Sequence, residues 1–114
     1  MAGRRKIEEF EADLYNVPLP RFWRLEKGEF ERKAYDDGEE KLEICFRGLP
    51  EPDGGMARAL INGELVCEIP VSGGGGQEVL STNAGDTVPK VGSGSLAEIE
   101  YHGQVVLRGL FKRD

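Results

Sequence analysis

A chain of 114 residues, 39% hydrophobic and 32% charged, is the size of one domain and can bury a core without disulfide or metal staples. Its formal charge of −6 argues against nucleic acid as a partner, because neutralising phosphates needs a concentrated basic surface. No apolar run approaches the roughly eighteen residues of a membrane span, and "MAGRRKIEEF" lacks the apolar centre of a secretory signal, so a cytoplasmic protein is expected.

The first seven residues, with Arg4, Arg5 and Lys6, read as a basic, flexible terminus to a single all-β domain over 1–114. "EEFEADLY" (8–15) alternates, with Phe10, Ala12 and Leu14 on one face and Glu9, Glu11 and Asp13 on the other. This is the pattern of a half-buried strand. "NVPLP" stops it, because each proline biases its predecessor away from helical angles.

Segments 28–35 and 41–47 form a hairpin around "DDGEE", the second arm turning Leu42, Ile44 and Phe46 inward. Asn62-Gly63 then sits between two apolar runs, where a two-residue turn needs positive φ at both positions. That register sets Ile61 opposite Glu64 and Leu60 opposite Leu65, leaving Arg58 opposite Cys67. Near the C-terminus, a two-residue turn at His102-Gly103 would scramble the faces. A three-residue loop, Tyr101-His102-Gly103, is expected instead, pairing Ile99 with Val105 and Ala97 with Leu107. Phe111 continues the inward parity past Gly109, where a missing side chain signals a bulge or close packing. "FRGLP" (46–50) and "LRGLF" (107–111) offer a candidate internal repeat. Seven to eight short strands without an amphipathic helix imply an antiparallel β-sandwich or a partly open barrel.

Few residues suggest chemistry. Gly73 to Gly76 lead into strand-like "QEVLST" rather than a helix, so they read as a corner and not as a phosphate cradle. One histidine and two separated cysteines fall short of a zinc ligand set, and Cys45 and Cys67 read as buried or half-buried free thiols. Asp36, Asp37, Glu39 and Glu40 are weak candidates for a calcium site, since hard cations take clustered oxygens. Asp86 reads as a turn cap. No cofactor is expected. Phe22 and Trp23, flanked by Arg21 and Arg24 and joined by Tyr35, are the best interface candidates, because Trp and Arg concentrate where binding energy does.

The run from Gly28 through "DDGEE" to Gly48-Leu49 resembles the first half of the CHRD (chordin-like) β-domain, and "ING", "GDTVP" and "RGLF" resemble small bacterial all-β hypothetical proteins. Residues 28–111 carry the likeness, which implies an all-β fold. The family's histidine-containing segment is replaced here by "MARALING", so no histidine role carries over. The expected function is a non-enzymatic β-module for self-association or contact with another protein, through Trp23 or an exposed strand edge. A carbohydrate- or small-ligand-binding sandwich, with a weak calcium site, is the alternative, and a hydrolase comes third, requiring a concave pocket containing His102 or two close, perturbed acids.

Overall fold

The computed structural model describes residues 3–17, 26–49 and 54–114. Among the described residues nine antiparallel strands make a nearly closed barrel: β1 (Lys6–Asn16), β2 (Glu26–Tyr35), β3 (Glu40–Phe46), β4 (Met56–Ile61), β5 (Glu64–Pro70), β6 (Gly76–Ser81), β7 (Leu96–Tyr101), β8 (Gln104–Leu110) and the short β9 (Lys112–Arg113). Their order is β5-β4-β7-β8-β1-β2-β3-β6, with β9 beside β1. Among the described residues no helix is long and apolar enough to cross a membrane.

Alternation builds the core. Phe10, Ala12 and Leu14 of β1, Leu42, Ile44 and Phe46 of β3, and Ile99, Leu107 and Phe111 all point inward and are buried. Phe111 meets Phe30 edge-on, with ring centroids 6.0 Å apart, a favourable aromatic geometry. Arg32 shares the inner face of β2 and is 3% exposed, so its guanidinium must be satisfied. It donates to the Pro89 carbonyl at 2.7 Å and pairs with Glu40, sealing one end of the barrel.

Both tight hairpins close by two-residue turns. Asn62 and Gly63 have φ of 52° and 81°, and His102 and Gly103 have 53° and 79°. Ile61 faces Glu64 and Leu60 faces Leu65, as the pattern predicts. A bulge then shifts the register, so that Ala59 faces Cys67 and Arg58 faces Glu68. The bulge removes the expected clash of Arg58 with Cys67. Arg58 instead bonds Glu100 at 3.2 Å, and Leu65 becomes half-exposed.

The C-terminal hairpin corrects the expected three-residue loop by the same device. Tyr101 faces Gln104, Glu100 faces Val105, and a bulge then sets Ile99 opposite Leu107 and Ala97 opposite Gly109. The extra residue restores the inward parity that a two-residue turn alone would scramble. Asn62/His102, Gly63/Gly103, Val66/Val106 and Cys67/Leu107 thus correspond, and β4 and β7 pair around Ala59 and Ile99. The internal echo lies here. The "FRGLP" and "LRGLF" pair is not equivalent: Gly48 takes a left-handed φ of 71° after β3, whereas Gly109 lies within β8.

Gly73 to Gly76 turn a corner, as expected. Ser72 and Gly75 exchange backbone bonds of 2.9 and 3.1 Å, and Gly76 opens a strand rather than a helix. A Cβ on Gly76 would sit 2.7 Å from the Pro70 carbonyl oxygen, so this corner draws the two ends of the sheet together where β5 gives way to β6. Cys45 is exposed on the outer face rather than buried, and Cys67 is half-buried; both are free thiols. Burial pushes the Cys67 thiol up to about 11, which makes it a poor nucleophile.

Candidate functional site

Phe22, Trp23, Arg21 and Arg24 lie outside the described residues. Tyr35 is half-buried at the end of β2, with the Arg4 guanidinium 3.9 Å above its ring centre. The basic terminus is thereby tied to the β2–β3 turn: Arg4 also pairs with Glu39, and Arg5 exchanges bonds of 3.0 and 2.9 Å with Asp36.

The acidic turn spends its oxygens within the protein. Glu39 is 5% exposed and accepts from Ser81 Oγ at 2.5 Å. That bond, with Arg4 beside it, holds the Glu39 carboxyl below its usual range. Asp37 accepts from the Glu39 amide at 3.0 Å, and Glu40 binds Arg32. Asp86 accepts from the Ser81 amide at 3.0 Å, acting as the turn cap expected of it.

Carboxylates converge elsewhere, on the outer face of β1 and β2. Residues directly opposite in an antiparallel pair project to the same side. The ladder sets Glu11 against Glu31 and Asp13 against Glu29, two like-charge pairs in succession. Oxygens of Glu11, Asp13 and Glu29 all lie within 4.8 Å of one another. Lys33 relieves the neighbouring row, reaching Glu43 at 2.9 Å and Glu31 at 3.3 Å. Among the described residues no cation pairs with Glu11, Asp13 or Glu29.

The group responds by keeping a proton. Hydrogen bonding to Glu31, partial burial and the neighbouring Glu11 push Glu29 up to about 8. The same bond from Glu29, with Lys33, holds Glu31 below its ordinary range. Glu11 is pulled down by Glu29, but Asp13 and partial burial outweigh this and leave it raised.

A groove of about 710 Å³ adjoins these acids, lined by Asp13, Tyr15, Val17, Leu96, Arg108, Gly109, Leu110 and Lys112. It forms where β8 turns across β1. β1 pairs with β8 at Tyr15 and Asn16 and with β9 at Phe10 and Glu11, and Gly109 packs against the Asp13 backbone in between. Leu110 is 60% exposed on its wall. Arg108 is committed to Glu98, giving two N–H bonds of 2.8 and 2.7 Å to one carboxylate oxygen. Of the clustered acids only Asp13 lines the groove; Glu11, Glu29 and Glu31 lie outside its lining.

Reasoning from the sequence missed this site. Glu11 and Asp13 read only as the wet face of a strand, and their partners Glu29 and Glu31 become visible once the β1–β2 register is known. No family model, curated protein or solved structure matches the chain.

Proposed function

We propose that this protein is a non-enzymatic β-module that docks a segment of another polypeptide on its outer face. One observation carries the reading: a sizeable groove pairs an exposed apolar wall, Leu110 with Leu96 and Tyr15 beside it, with a charged end at Asp13. Apolar surface flanked by oriented polar groups is the composition of a recognition site, and binding energy concentrates on such anchors.

A displayed library of random peptides, selected on the folded chain, tests the reading. Selected peptides should lose at least tenfold in affinity on Leu110→Asp, with the circular dichroism spectrum unchanged. Peptides that bind the variant and the parent equally place recognition elsewhere and reject the groove. A sugar-binding reading draws support from Tyr15 beside Asp13, an aromatic face next to a hydrogen-bonding carboxylate. It predicts that neutral oligosaccharides, rather than peptides, protect the groove.

A further inference from the structure

Asn62 holds two positions at once at the tip of the β4–β5 hairpin. Its backbone takes the left-handed φ of 52° that the two-residue turn needs. Its amide still donates to the Leu96 carbonyl at 2.8 Å, and its side-chain Oδ1 accepts from the Leu96 N–H at 2.8 Å. These bonds carry the β4–β7 ladder one residue past Ile61 and Ala97 and fix the Asn62 side chain against β7. The peptide that follows is exposed, and the Gly63 N–H makes no hydrogen bond among the described residues. Nothing stands within 4 Å of where a Gly63 Cβ would lie, so that peptide has room to rotate.

We infer that Asn62-Gly63 is a self-modifying site whose co-reactant is water. The Gly63 nitrogen gives its proton to hydroxide and bonds to Asn62 Cγ, closing a five-membered imide. The Cγ–Nδ2 bond breaks, and the side-chain nitrogen takes a proton from water and leaves as ammonia. Water then opens the imide at Cγ to give aspartate, or at the main-chain carbonyl to give isoaspartate. Nucleophile and electrophile share one residue pair, so no encounter is needed. Negative charge gathers on Oδ1 during the attack, where the Leu96 N–H already points. The other asparagines lack this arrangement, because Asn16 precedes Val17 and Asn83 precedes Ala84, whose side chains crowd the attacking nitrogen. Asp37-Gly38 has the same spacing, but the Glu39 amide and Arg4 hold its carboxyl below the usual range, and an ionised carboxylate is a poor electrophile.

The two products differ in what they do to the hairpin. Aspartate keeps an oxygen for the Leu96 N–H and tolerates the left-handed turn. Isoaspartate adds a carbon to the main chain and turns the capping carbonyl into backbone, so the two-residue turn no longer fits and the hold on Leu96 is lost.

The test keeps the full chain at pH 8.5 and 37 °C, folded in buffer and unfolded in guanidinium chloride. Peptide mapping by mass spectrometry should place a gain of one dalton at Asn62, as aspartate and isoaspartate, with none at Asn16 or Asn83. The folded chain should convert within about tenfold of the unfolded rate, because the fold leaves the turn open. A greater slowing shows that the turn shields Asn62 and overturns the inference, as does a gain located at another asparagine. Asn62→Asp should melt with the parent, whereas the isoaspartate fraction, separated by ion exchange, should melt lower and shift the Leu96 amide resonance. An isoaspartate fraction that melts with the parent and leaves Leu96 unmoved overturns the structural consequence.

Discussion

Gly109→Ala is expected to lower stability by about 2–3 kcal/mol, at the upper end of what overpacking costs. A Cβ at this position would lie 2.0 Å from the Asp13 carbonyl oxygen and 2.9 Å from its carbon, with Leu14 Cδ2 at 3.3 Å. The first two atoms belong to backbone, so no rotamer change relieves the overlap; β8 must lift away from β1. For a domain of this size the melting temperature should fall by roughly 10 °C or more, read by circular dichroism. Gly92→Ala is the control, because nothing stands within 4 Å of a Cβ there. If both variants melt alike, the close approach of β8 to β1 does not hold the fold.

The second large effect concerns pH. Glu29 binds its proton more tightly folded than unfolded, with a value of about 8 against an ordinary 4.5. The stability tied to that proton is complete below the ordinary carboxylate range and is lost as pH rises through about 8. Glu31, depressed by the same bond and by Lys33, contributes the opposite dependence at acid pH and cancels part of it. Glu11 and Asp13 face Glu29 from β1 and Cys45 faces it from β3, so each further deprotonation adds repulsion.

Glu29→Gln isolates the effect, because its amide stays neutral and keeps a donor for its neighbours. Denaturant titrations should show variant and parent nearly equal at pH 5. By pH 8.5 the variant should be more stable by roughly 1–2 kcal/mol, a figure reduced from the full shift because these carboxyls still touch water. A parent that gains stability relative to the variant as pH rises would contradict the shared proton.

Much of this architecture was legible because alternation is a local property. Phe10, Ala12 and Leu14 declare one face of β1 within five residues, and Leu42, Ile44 and Phe46 do the same for β3. Asn62-Gly63 carries its turn geometry in two residues. The bulges at Val66 and Val106 were hidden, since an extra residue in a ladder leaves no mark until the pairing is known. At His102-Gly103 the conflict between the two faces is real, but a bulge within the strand resolves it rather than a longer loop. The candidate site was hidden for a related reason. Glu11 and Asp13 are ordinary residues of a strand's wet face in isolation, and only the β1–β2 register stacks them on Glu31 and Glu29.

The two bulged hairpins also impose an order on folding. Each turn joins neighbours a few positions apart, so closing it sacrifices little chain entropy, whereas β1 must find β8 and β9 across nearly the whole polypeptide. The hairpins are the fast pieces and the meeting of the first and last strands is the slow one. The contact that demands a bare α-carbon at Gly109 is therefore among the last to be locked.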